Sequence, residues 1–211
     1  MLHKKNATFR PEKRSIKVMR PDQSDSELIR RVLSGEKAAF RRIVENNQRL
    51  VRHIVFRLIP DPDDREDLCQ EVFLQVYEHL HRFEGKSRLS TWIGRIAYNT
   101  CLHFLEKKRP ARYADIFGDD AVIDSEPART VSPAEVTASR LRATNLCEQI
   151  DALPVRYGLI LTLYHFNEMT YDEIAQLLDM PSGTVKNYLF RARRMLRQRL
   201  ERLGLQEEIC A

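Results

Sequence analysis

The sequence predicts an all-α protein: two small helical domains joined by a flexible acidic linker. Long runs rich in Leu, Arg, Glu and Ala place apolar residues three and four apart, and no alternating β-branched stretch of useful length interrupts them. Glycines number only seven, too few for a chain of many tight turns. A proline-bearing acidic stretch without such periodicity divides the 211 residues into parts each large enough to bury a core.

The elements follow in order. Residues 1–23 carry Lys4, Lys5, Arg10, Lys13, Arg14, Lys17 and Arg20 without a periodic apolar face. They read as a basic disordered arm, either touching phosphates or serving as a tail without function. Ser24 precedes Glu27 by three, a capping pair, and Leu28, Val32 and Leu33 then give a short helix stopped by Gly35. A longer helix carries Phe40, Ile43, Val44, Leu50, Val51, Ile54, Val55, Leu58 and Ile59, and ends at Pro60 and Pro62. From Asp63 an acidic first turn suits the positive end of a helix dipole, and Leu68, Val72, Phe73, Val76 and Leu80 face inward. Residues 82–88 form a polar turn. A fourth helix from Ser90 turns Trp92, Ile93, Ile96, Ala97, Phe104 and Leu105 inward and Arg95, Tyr98, Asn99 and His103 outward, ending in Lys107, Lys108 and Arg109. Residues 24–109 are therefore expected to form a four-helix domain with one mixed basic, aromatic and amide surface.

Residues 110–133, with Asp115, Asp119, Asp120, Asp124 and Glu126, are the linker. Fully extended, such a stretch spans about 80 to 90 Å, enough to set two domains more than two DNA turns apart. The second domain occupies 134–205, followed by a tail over 206–211. Leu141, Leu146 and Ile150 mark its first helix, and Leu153-Pro154 opens another bearing Leu159, Ile160, Leu163 and Tyr164 and ending near Asn167. Thr170 and Glu173 form a capping box for a short helix carrying Ile174, Ala175, Leu177 and Leu178, which Asp179-Met180-Pro181 interrupts. Ser182 is expected to cap the next helix. There Val185, Leu189, Ala192, Leu196 and Leu200 make one apolar stripe, bordered by Tyr188 and Met195. Lys186, Asn187, Phe190, Arg191 and Arg194 project from the other side. These are the groups of a major-groove reader: cations for guanine, an amide for adenine, a ring for the thymine methyl. A solvated basic face is the plain alternative, and an exposed Phe190 between cations fits it poorly.

A net charge of +5 and a pI near 9.1 favour a polyanionic partner, chiefly because the cations cluster between Lys186 and Arg202. Cys69, Cys101, Cys147 and Cys210 show no C-x-x-C pair and read as free thiols of a reducing cytosol. His79 with His81, and Cys101 with His103, point about 200° apart on a helix, so no metal site is expected. No apolar run reaches bilayer length and no secretory signal opens the chain, so a cytoplasmic protein without membrane insertion is expected. A phosphate-cradling glycine loop and a converging nucleophile and base are both missing. The chain therefore reads as no enzyme, with no cofactor.

The ordered motifs D-L-x-Q-E at 67–71, T-W-I-x-R-I-A-x-N at 91–99 and G-T-V-x-x-x-x-x-R-A-R at 183–193 resemble one family, the extracytoplasmic-function sigma factors of bacterial RNA polymerase. Residues 64–108 resemble its σ2 domain and 153–196 its σ4 domain. The resemblance implies that Asp67, Gln70 and Glu71 dock on the β′ clamp helices of core polymerase, and that the β flap is a further contact. It implies that Phe83, Lys86 and Arg88 of the polar turn, with Arg95 and Asn99, meet a flipped base and the non-template strand of the minus-ten element. Lys107, Lys108 and Arg109 would hold upstream phosphates. Lys186, Asn187, Phe190, Arg191 and Arg194 would read the minus-thirty-five element of promoter DNA. An anti-sigma factor is a further expected partner. The competing expectation is a stand-alone helix-turn-helix regulator whose first domain only dimerises or binds a ligand, and a weaker one is an interaction protein that no longer reads DNA.

Overall fold

A computed structural model describes residues 23–108, 110, 113 and 146–203. The expected arm, most of the acidic linker, Leu141, Arg109, Cys210 and the tail lie outside the described residues. Among those described, every regular element is helical: α1 (Gln23–Leu33), α2 (Lys37–Leu58), α3 (Pro62–His79), a 3-10 turn (Leu80–Arg82), α4 (Leu89–Lys108), α5 (Val155–His165), α6 (Tyr171–Leu178) and α7 (Ser182–Arg202). Residues 146–151 are also helical.

In the N-terminal bundle α2 is the central element, packed by α1, α3 and α4. Its apolar positions at helical spacing, Ile43, Leu50, Val51, Ile54, Val55 and Leu58, are all buried. Helix α3 starts one residue earlier than the acidic turn implied. Pro62 takes the first helical position, where its missing N–H is no loss, and Asp61 caps the end by accepting from Asp63 N at 3.2 Å. Helix α1 likewise begins at Gln23, which places Ser24 inside its first turn instead of at the cap, and Glu27 pairs with Arg30 at 2.7 Å.

The C-terminal bundle folds α5, α6 and α7 around Leu159, Ile160, Leu163, Ile174, Leu177, Val185, Leu189 and Ala192. The capping box of α6 is complete: Glu173 N donates to Thr170 Oγ1 at 3.3 Å while Thr170 N donates to Glu173 Oε2 at 2.7 Å. Asp179 ends α6 in the left-handed region at φ 54°, a conformation Asp tolerates better than most residues. The expected Ser182 cap does not form. Pro181 is the cap, without a side-chain hydrogen bond, because extended backbone at the proline already sets the entry and places Ser182 in the first turn. Arg199 Nε ties the far end of α7 to Gln149 Oε1 at 2.6 Å.

The bundles also pack on each other, α5 against α2 and α6 against α4. Sequence periodicity did not predict this contact, and it corrects one expectation. Tyr98, expected on the exposed side of α4, is only 7% exposed.

Candidate functional site

Three surfaces carry the candidate residues. The first is the outer side of α3. Asp67, Gln70 and Glu71 are all exposed there, one turn apart, opposite the buried Leu68, Cys69 and Val72. Gln75 Nε2 donates to Glu71 Oε1 at 2.9 Å and holds that carboxylate along the helix. Two residues absent from the sequence-based site extend the same row: Leu74 is 60% and Tyr77 52% exposed. Apolar side chains at helical spacing read as core from the pattern alone. Their signal was that Leu74 and Tyr77 continue the 67, 70, 71 row by one and two turns. Tyr77 meets Phe40 edge-on at 4.9 Å, so the strip runs on toward α2.

The second surface is the turn after α3 together with α4. Phe83 is half-buried and packs edge-on against Trp92 at 5.5 Å, which fixes the turn on the body of α4. Lys86 pairs with Glu84. Asn99 and Lys107 are exposed, and Lys108 reaches Asp64 at 3.5 Å and lies over the Phe104 ring at 4.7 Å. Arg88 and Arg95 are drawn toward the other bundle. Arg88 Nε lies 3.3 Å from Glu173 Oε1, and Arg95 Nη2 lies 3.8 Å from Asp179 Oδ1. Burial pushes the Tyr98 hydroxyl up to about 12, in line with its covered position beside Leu58, Leu159 and Met180. The structure therefore places Phe83, Lys86 and Arg88 in the turn before α4, Arg95 in its second turn and Asn99 at its middle, while Lys107 and Lys108 lie at its far end.

The third surface is α7. Lys186, Asn187, Phe190, Arg191 and Arg194 are all exposed on one side, and Phe190 is 67% exposed. Val185, Leu189 and Ala192 hold the opposite side in the core, so the row cannot rotate inward. Tyr188, expected at the border, is buried: its ring lies 5.2 Å from that of Tyr157, and its hydroxyl accepts from Arg156 Nη1 at 3.2 Å. Lys186 Nζ sits over the Tyr171 ring at 5.6 Å, and Tyr171 stacks on Tyr164 at 5.2 Å, with Arg193 over Tyr164 at 5.1 Å. This ladder of rings and cations flanks the exposed row and was not evident from sequence, since its members come from three helices.

Comparison with known proteins fits both halves. The model described as Sigma-70 region 2 matches residues 43–110, and that described as Sigma-70, region 4 matches residues 145–196. The RNA polymerase sigma-H factor of Pseudomonas aeruginosa is 33% identical over 195 residues, 88% of this chain and 98% of that protein. The ECF RNA polymerase sigma-E factor of Escherichia coli is 30% identical over 184 residues, 85% of this chain and 96% of that one. For the ECF sigma factor SigW of Bacillus subtilis the values are 29% over 179 residues, 83% and 96%. In fold, CnrH, solved in complex with the cytosolic domain of CnrY, matches with a TM-score of 0.58 at 19% identity, covering 84% of this chain and 97% of that one. The two matched regions define a sigma-70-type transcription factor. Within that class the chain belongs to the extracytoplasmic-function sigma factors of RNA polymerase, and it directs transcription. The stand-alone regulator is not favoured, because the likeness spans both halves of the chain. No helix among the described residues is long and apolar enough to cross a membrane.

Proposed function

We propose that the chain docks on core RNA polymerase with Asp67, Gln70 and Glu71, extended by Leu74 and Tyr77. Phe83, Lys86, Arg88, Arg95 and Asn99 then hold the melted minus-ten strand, Lys107, Lys108 and Arg109 its upstream phosphates, and Lys186, Asn187, Phe190, Arg191 and Arg194 read the minus-thirty-five element. The observation that carries this reading is the α7 row. Two arginines, a lysine, an amide and a ring all face solvent from a helix whose other side is locked in the core. An exposed phenylalanine between cations fits a merely solvated face poorly. On a reading helix it meets a thymine methyl.

In this reading the working units are a basic arm over 1–23, a σ2-like unit over 24–109, a linker over 110–133, a σ4-like unit over 134–205 and a tail over 206–211. The factor supplies recognition and strand stabilisation while the polymerase supplies the chemistry, so it is no enzyme and works in the cytoplasm beside the polymerase. An anti-sigma factor controls it. A neighbour in fold supports that last point, since the sigma factor RpoE of Bartonella quintana was solved in complex with the anti-sigma factor NepR.

Run-off transcription from genomic fragments with purified core polymerase tests the reading. Specific transcripts are expected only when chain and core are both present. A footprint of the chain alone on an operator, with no effect on transcription by core, would favour the stand-alone regulator instead.

A further inference from the structure

Two cations of α7, Lys186 and Arg193, lie about two turns apart along one line of the helix. Rings from two other helices hold them. Tyr164, near the end of α5, and Tyr171, the first residue of α6, stack at 5.2 Å with their planes 17° apart. Lys186 Nζ sits over Tyr171 at 5.6 Å and Arg193 Cζ over Tyr164 at 5.1 Å. A cation is drawn to the negative face of an aromatic ring, so each ring of the pair holds one.

Arg193 is itself anchored. Its Nε and Nη2 lie 3.4 and 3.2 Å from His165 Nε2, which accepts from the guanidinium as long as the imidazole is neutral. Burial, and then the Arg193 charge, hold His165 below its ordinary 6.5, which favours that neutral form. His165 also meets Tyr164 edge-on at 4.9 Å and so closes the set.

The set treats its two cations differently. Arg193 is half-buried and occupied by His165 and Tyr164, while Lys186 is exposed and pairs with no carboxylate among the described residues. Held by a ring instead of a carboxylate, the Lys186 ammonium keeps its charge unneutralised and its donors available. A free lysine spreads over many rotamers, and fixing one of them on binding lowers affinity. A side chain already held by a ring has less freedom to lose.

Resting on the reading above, we propose that Tyr164 and Tyr171 are positioning residues for promoter reading: the stacked pair, braced by Arg193 on His165, aims Lys186 at the base it meets in the minus-thirty-five element. The rings touch no base themselves. Preference at that base then depends on side chains of α5 and α6, outside the reading helix.

The test uses the full chain with core polymerase, on the genomic fragment that gives the strongest run-off transcript and on copies with single base changes through its minus-thirty-five element. Lys186→Ala identifies the base concerned, by the loss of preference there. Tyr164→Leu and Tyr171→Leu are expected to lower preference at that same base about threefold and leave the other bases unaffected. Tyr164→Phe and Tyr171→Phe keep the rings and should match wild type. Combined with Lys186→Ala, Tyr171→Leu should change nothing further, since the lysine it acts through is gone. Preference at that base should also fall in wild type as pH drops below 6.5, and stay level in His165→Gln, which keeps an acceptor for Arg193 and does not titrate. Leu variants that shift no preference, weaken every base alike or add in full to Lys186→Ala would overturn the proposal, as would a wild-type preference flat with pH. Circular dichroism checks folding; if one Leu variant unfolds the other decides, and Arg193→Met decides if both do. If Lys186→Ala leaves every preference intact, the reading of Lys186 fails and the proposal with it. If it shifts a preference that neither Leu variant touches, the positioning role alone fails.

Discussion

The proposed nucleic-acid faces of α7 and α4 use the same kinds of residue and stand in different states. On α7 the row from Lys186 to Arg194 is open to solvent. On α4 the outer row is partly occupied: Arg88 and Arg95 face carboxylates of α6, and Tyr98 is covered. Neither helix decides this by itself. The α7 row lies away from the contact between bundles, whereas the α4 row borders it, so availability is a property of assembly and composition alone does not reveal it.

The largest expected effect comes from removing what both faces share. Leu177 is fully buried in the C-terminal bundle and also packs on Gly94 of α4. Leu177→Ala should cost about 2 to 5 kcal/mol in urea unfolding and erode the difference between the faces.

Tyr98 sharpens the comparison through pH. Its hydroxyl is held up to about 12, against an ordinary 10.0, because burial disfavours the phenolate. Between those values the folded chain keeps a proton that the unfolded chain releases, so this contribution to stability is intact below pH 10.0 and is lost as pH rises toward about 12. The tyrosinate absorbance that Tyr98→Phe removes should appear near about 12 in the wild type and move down toward 10.0 in Gly158→Ala, whose added Cβ would overlap the Arg57 guanidinium where the bundles meet.

On the open face, Asn187→Ala and Arg191→Ala should each lose about 1 to 3 kcal/mol of base discrimination in run-off transcription, with thermal stability unchanged. Thr170→Ala removes the cap of α6 and should cost about 1 kcal/mol in thermal unfolding. The smallest effect is expected for Asp179→Asn, which keeps the left-handed backbone and removes the charge facing Arg95. Both partners are exposed, so urea unfolding should change by about 0 to 1 kcal/mol.

The sequence made the helices legible because apolar spacing is a local signal. The α7 stripe of Val185, Leu189 and Ala192 lies where periodicity placed it, and so does the complete Thr170–Glu173 box. Cap positions were legible to within a residue or two, since proline can enter a helix without a capping side chain, as Pro181 does. Contacts between residues far apart in the chain left no such trace. Arg57 meets carbonyls nearly a hundred positions away, and nothing in the pattern around it sets it apart from the solvated Arg52. Tyr98 was misplaced for the same reason: its cover belongs to another part of the sequence. Leu74 and Tyr77 were left unassigned, because apolar residues off the buried stripe gain a role only when a partner outside the chain is considered.

The strip formed by Leu74 and Tyr77 leaves the unaccompanied factor with a greasy ridge in water. Molecules made in excess of their partners should therefore adhere to one another or to other hydrophobic surfaces, so that abundance beyond the available seats yields clumping instead of added output.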